Sequence, residues 1–117
     1  MREKGAFYEQ KALNYLLRKQ YEFVARNYTC LFGEIDLLMI EPPTTLVIVE
    51  VRFRKSLDDA RLSISPAKIK KIILTLQHFL QHHEHFFNMD IRFDCMFLND
   101  QCINHMKQAF DLNGIDI

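Results

Sequence analysis

The sequence has no excess of either charge, since 15 Lys and Arg balance 15 Asp and Glu. Overall charge therefore selects no partner, and a nucleic-acid-binding reading has to rest on where the bases cluster. Cysteine is scarce. Cys30, Cys95 and Cys102 are odd in number and lack CxxC spacing, which argues against a disulfide framework or a paired-cysteine zinc site and fits reduced thiols. No apolar run approaches the roughly 20 residues of a membrane span. The charged opening "MREKGAFYEQ" lacks the apolar centre of a signal peptide. These absences lead to the expectation of a soluble, cytoplasmic chain with no membrane partner. Repeats, linkers and low-complexity tracts are also missing. The 117 residues read as a single domain, 1–117, long enough to hide about two thirds of its unfolded surface.

What is present reads as alternating elements. Ala6, Glu9, Leu13, Leu16 and Leu17 form one stripe of a helix over residues 6–18. "YEFVARNYTC" is aromatic and β-branched, hence a strand, and "LFGEIDLLMI" is a second strand after a turn at Gly33. The two prolines of "EPPTT" remove ladder donors, so that segment is a hairpin loop leading into a third strand, "LVIVEVRFR". "KSLDDARLS" is polar and irregular. Ser65-Pro66 then supplies an N-cap and a first-turn proline. The helix that follows has a predicted buried stripe of Ile69, Ile72, Ile73, Leu76, Leu80 and His83. "IRFDCMFL" is a strand, "ND" a turn, and "QCINHMKQAF" a last strand and tail. The order is α/β: helix, three strands, helix, two strands.

Paired positions of an antiparallel hairpin have a constant sum. With a loop over Glu41 to Thr45, Ile40 faces Leu46, Asp36 faces Glu50 and Glu34 faces Arg52, all on one side of the sheet. Two carboxylates about 5 Å apart at an effective dielectric near 20 repel by roughly 3 kcal/mol. That is a large part of the roughly 5–15 kcal/mol that stabilises a domain. Such a pair calls for a cation or a shared proton, and a hard divalent ion suits carboxylate oxygens. Glu9, on the apolar stripe of the first helix, is expected to point the same way. Composition leaves a second account open, in which Asp36 pairs with Arg52 diagonally and Glu50 with a lysine as a structural ion-pair cluster.

The segments "KGAFYEQKALNYL", "RNYTCLFGEIDLLMI", "LVIVEVRFR", "SPAKIKKI" and "IRFDCMFL…INHMKQAFDL" resemble, in order and over nearly the whole chain, the YraN-like family of small bacterial proteins. By that resemblance the chain is similar to the PD-(D/E)xK nuclease-like superfamily and to archaeal Holliday-junction resolvases. The resemblance implies a restriction-endonuclease-like core (αβββαβ), with an antiparallel hairpin in a mixed sheet flanked by helices. It matches Asp36 to the motif aspartate, Glu50 to the (D/E) of (D/E)xK, and Glu9 to the acid that many members carry on the first helix. These three are the implied ligands of Mg²⁺ or Mn²⁺, and the implied reaction is phosphodiester hydrolysis in DNA, branched or otherwise structured. Resolvase-like relatives point to a homodimer. Arg52 stands where the motif has lysine. Arginine stays charged at working pH and cannot act as a general base, yet it can clamp a phosphate with two hydrogen bonds. That departure keeps a second reading in view, a non-catalytic nucleic-acid-binding or scaffold protein with the nuclease fold.

The remaining bases fall in two groups. Arg52, Arg54 and Lys55 leave the third strand, and Lys68, Lys70 and Lys71 open the second helix. If both edge one cleft they form a basic rim for phosphates, with Arg52, Arg54, Lys55, Lys68 and Lys71 as the nucleic-acid contacts. Lys70 reads as a solvated helix residue. His78, His82, His83 and His85 read as exposed surface histidines because no Cys or acid motif accompanies them. Asp94 reads as a site neighbour or as a structural partner of Arg92 or Arg26. Cys30 is a reactive thiol only if exposed with a lowered pKa. The ten Phe and four Tyr lie mostly at core spacings, and none is assigned a base-stacking role.

Overall fold

A computed structural model of the chain describes residues 2–53 and 64–111. Helix α1 (Arg2–Arg18) is followed by strands β1 (Glu22–Cys30), β2 (Gly33–Glu41) and β3 (Thr45–Phe53). Helix α2 (Pro66–His82), a 3-10 turn (Glu84–Phe86), β4 (Asp90–Leu98) and β5 (Ile103–Phe110) complete the order. The strands form one five-stranded sheet, β1-β2-β3-β4-β5. Only β3 and β4 run parallel, joined through α2; the other pairs are antiparallel. This is an α/β fold with a mixed sheet between two helices, and it has the αβββαβ order of a restriction-endonuclease-like core.

The sheet has an apolar layer on each face. Tyr8, Ala12, Leu13 and Leu16 of α1 cover Leu37, Met39, Val47, Val49, Met96 and Leu98. Ile69, Ile72, Leu76 and Phe79 of α2 cover Leu38, Leu46, Ile48, Phe93, Cys95 and Phe97. Leu46 to Val49 of β3 are sealed on both faces, which explains their unbroken apolar run. The α1 stripe differs from expectation: Tyr8 and Ala12 are buried, while Ala6 and Leu17 are exposed. Tyr8 is drawn inward because its ring stacks on Phe53 at 4.2 Å and its hydroxyl donates to Asp100. On α2, Thr75 and Phe79 join the buried face, and Ile73, Leu80 and His83 are only partly covered.

The ends of α2 follow from local chemistry. Ser65 caps it by accepting from the Lys68 N–H at 3.2 Å, with Pro66 in the first turn. Histidine closes the other end: His82 and His83 donate through Nδ1 to the carbonyls of His78 and Phe79 at 2.8 and 2.9 Å. His78 is not a free surface ring, because it shares a 2.6 Å hydrogen bond with the Tyr28 hydroxyl. Gly33 has φ +157, and a Cβ there would lie 3.3 Å from the Thr75 hydroxyl and 3.5 Å from the Lys71 Cβ. Glycine thus lets the start of β2 pass directly under α2.

Candidate metal and phosphate site

The β2–β3 ladder has the register that the hairpin arithmetic predicts. Glu41 faces Thr45, Ile40 faces Leu46, and pairing continues to Leu37 opposite Val49. One step further, where Asp36 and Glu50 meet, side chains replace the backbone pairing. The Val51 N–H donates to Asp36 Oδ2 at 2.8 Å, and the Asp36 N–H lies 3.5 Å from Glu50 Oε2. The strands part here, and the chain turns over at Asp36: Ile35 packs toward α2 while Leu37 packs toward α1, although alternation would give them one face. The same parting overturns the expected Glu34–Arg52 pair. Glu34 instead accepts from the Thr29 hydroxyl of β1 at 3.2 Å.

Glu50 is only 2 % exposed. Burial pushes its carboxyl up, the neighbouring Asp36 raises it further, and Lys68 opposes both, leaving it near 8. Burial likewise raises Asp36, to about 6, against the Val51 N–H, which favours the charged form; Glu9 adds to the rise. Near neutral pH the pair therefore carries one proton in all. Among the described residues no arginine is ion-paired with either acid. The structural account drawn from composition is met only in part: Lys68 Nζ approaches Glu50 Oε1 at 3.9 Å, and its side chain is 39 % exposed.

The other expected site residues divide. Glu9 lies at the edge of the site, ion-paired through Arg26 Nε at 3.5 Å. Arg26 also donates to Gln10 Oε1 and the Ala6 carbonyl, fastening α1 to β1. Arg52 is half-buried beside Glu50 and makes no hydrogen bond or ion pair among the described residues; its charge lowers the Glu50 pKa. Lys68 reaches the site, whereas Lys71 is exposed over Gly33. Arg54 and Lys55 lie outside the described residues, as does most of the polar loop after β3.

A divalent cation fits this donor set only as a partly hydrated ion. Asp36 Oδ1 accepts nothing from the described residues, and Glu50 Oε1 is held only by the distant Lys68. Among the described residues, no group of three or more His, Cys, Asp or Glu side chains is placed to hold a metal ion. Two acids with water in the remaining positions match the chemistry of Mg²⁺ or Mn²⁺.

A second buried polar cluster lies on the α1 face, and sequence reasoning saw only part of it. Asp94 has no exposed surface and accepts from Arg92 Nε and Nη2, His105 Nε2 and the Gln108 N–H. Burial alone would raise its carboxyl, yet His105, Arg92 and the Gln108 N–H together hold it below the usual carboxylate range. Arg92 also binds Glu41 and the Tyr21 hydroxyl, so β2, β4, β5 and the residue leading into β1 are tied at one point. The partner of Asp94 is thus Arg92 and not Arg26. A β5 bulge, with Gln108 at φ 54, aims that N–H at Asp94; a period-two pattern in sequence does not reveal it. The thiols take no part in either cluster. Cys95 is buried and pushed up to about 12, and Cys30 accepts from the Phe32 N–H at 3.4 Å.

Residues 8–98 match the family model described as "Uncharacterised protein family UPF0102". The chain belongs to the UPF0102 family. It is 40% identical over 113 residues to the UPF0102 protein of Cupriavidus taiwanensis, covering 95% of this chain and 85% of that one. It is 43% identical over 101 residues to the one from Methylobacillus flagellatus (85% and 86% covered). The Saccharophagus degradans relative is 39% identical over 113 residues, with 95% of each chain covered. UPF0102 membership bears out the YraN-like resemblance, and the matched span holds Glu9, Asp36, Glu50, Arg52, Lys68 and the Arg92–Asp94 pair. Among the described residues, no helix is long and apolar enough to cross a membrane.

Proposed function

We propose that this UPF0102 protein is a metal-dependent endonuclease that hydrolyses phosphodiester bonds in DNA. The observation that carries the reading is the convergence of Asp36 and Glu50 where the β2–β3 ladder ends, with no arginine ion-paired to either among the described residues. Asp36 and Glu50 would hold Mg²⁺ or Mn²⁺. Glu9 would act through water, since Arg26 engages its carboxylate. When bound, the ion supplies Lewis acidity toward a phosphoryl oxygen and lowers the pKa of water.

The chain's own groups do the rest. The Val51 N–H fixes the Asp36 carboxylate, so its geometry is set before any ligand arrives. Arg52 makes no hydrogen bond or ion pair among the described residues and is suited to clamp the phosphate. Lys68 supplies a second positive charge on the same side. The first turn of α2 contains no acid, against the usual preference for negative charge at a helix N-terminus, and an anion brought there offsets that mismatch.

The test is nicking of a synthetic four-way junction and of a matched duplex with Mn²⁺. Native protein should cut, and Glu50→Gln should abolish cutting while keeping the fold. No nicking by native protein, or unchanged nicking by Glu50→Gln, defeats the reading. Arg52 in the lysine position favours one other reading, a DNA-binding protein without turnover. It predicts salt-dependent binding, no cleavage, and tolerance of Glu9→Ala in cells.

A further inference from the structure

The turn between β1 and β2 is built from the wrong residues for a turn. Cys30 faces Gly33, so Leu31 and Phe32 alone form the loop. Two-residue hairpin loops ordinarily use Asn, Asp or Gly. Here Leu31 is 94 % exposed and Phe32 is 45 % exposed. Two large apolar side chains at a tip gain nothing from folding, and turn chemistry gives no reason for them.

Position supplies a reason. β2 carries the tip into the candidate site: Phe32 precedes Asp36 by four residues, roughly 13 Å at about 3.3 Å per residue. That is the reach of a few nucleotides, since stacked bases rise about 3.4 Å each and an unstacked strand extends further per nucleotide. Next to the tip, Gly33 packs under α2 at Lys71, and Lys68 on the same helix reaches Glu50. The apolar tip therefore adjoins cations that continue into the site. A partner suited to both carries phosphates and exposed apolar faces at this spacing, which describes a strand with unstacked bases better than an apolar protein surface.

We propose that Leu31 and Phe32 form a wedge that packs against an unpaired or unstacked base while Arg52 and Lys68 hold a phosphate a few nucleotides away. The inference rests on the nuclease reading and gives the β1–β2 tip a role in it, the gripping of DNA at a branch, gap or distorted step. Apolar side chains inserted at base steps, and aromatic rings on which bases stack, are common devices for holding such DNA. Core spacing alone gives the aromatics no stacking role, whereas the turn exposes Phe32.

The experiment uses full-length Glu50→Gln protein, a four-way junction with 2-aminopurine at the branch point, and a continuous duplex of equal length. Binding should change the 2-aminopurine fluorescence of the junction. Adding Leu31→Ser with Phe32→Ser should remove that change and weaken junction binding about tenfold or more, with duplex binding unchanged. Both positions are exposed, so an unchanged melting temperature is expected and excludes misfolding. Equal junction affinity and fluorescence with and without the substitutions overturns the wedge but leaves the nuclease reading standing. Failure of Glu50→Gln and native protein to bind or cut any DNA overturns both. If sedimentation shows that the substitutions dissociate a dimer and the affinity loss follows dissociation, the tip joins two copies and the wedge is likewise overturned.

Discussion

Asp36 and Glu50 together close the end of the β2–β3 ladder. The Val51 N–H, next to Glu50, donates to the Asp36 carboxylate at 2.8 Å, while the Asp36 N–H lies 3.5 Å from the Glu50 carboxylate. Two acids are thereby fixed where a continuous ladder would have placed only backbone. The arrangement is unfavourable unless a proton or a cation is shared, and the first prediction follows from that.

Both carboxyls are raised above their usual values, Asp36 to about 6 and Glu50 to about 8. Between the unfolded values near 4 and these folded values, the native state binds more protons than the unfolded chain. The contribution of these two acids to the stability of the metal-free protein should therefore be greatest at acid pH and fall as pH rises from about 4 through 8. Glu50→Gln removes the ionisation, so the variant should exceed native stability by about 2 kcal/mol or more at pH 8. Near pH 5 the two should be similar. Urea denaturation of both proteins at several pH values checks this; a stability difference between Glu50→Gln and native protein that does not grow with pH contradicts it.

Arg52 and Lys68 are expected to act on phosphate rather than on folding. Arg52 forms no ion pair among the described residues, and the Lys68 contact is long and half-exposed. Removing either to alanine should leave urea stability within about 0.5 kcal/mol. Each should lower the slope of log binding constant against log salt by about one. Arg52→Lys should retain the slope. Fluorescence anisotropy with a duplex across a salt series measures it, and an unchanged slope in both alanine variants contradicts the phosphate assignment.

Asp94 is expected to matter for folding. Replacing it by Ala leaves Arg92 buried beside Glu41 and Tyr21 without its main partner, and frees His105 and the Gln108 N–H. Breaking one side of a buried pair costs about 3–5 kcal/mol. Asp94→Ala should lose that much in urea denaturation, whereas metal binding by whatever fraction stays folded should persist. A loss below 1 kcal/mol would mean that the cluster is not a stabilising tie.

The site was legible where its logic is local and periodic. Two prolines fixed the loop, a constant sum fixed the register, and Leu37 opposite Val49 confirms it. The same arithmetic failed at Glu34 and Arg52, because it assumes an unbroken ladder and the carboxylates themselves end this one. On α1 the apolar stripe misplaced Ala6 and Leu17, because a tyrosine with a polar tip is buried by partners distant in sequence, Phe53 and Asp100. The Asp94 cluster draws on four strands or their flanks and on a bulge at Gln108, and no window of sequence contains that arrangement. Exposure of Leu31 and Phe32 was hidden for the opposite reason: apolar residues beside a strand read as core until the turn is seen.

The most direct measurement is calorimetric titration of Mn²⁺ into native protein and into Asp36→Asn. The account predicts one saturable site in native protein, with protons released near neutral pH as the ion displaces the shared proton, and no site in Asp36→Asn. A native protein that binds no divalent ion, or an Asp36→Asn variant that binds it equally well, would contradict the account.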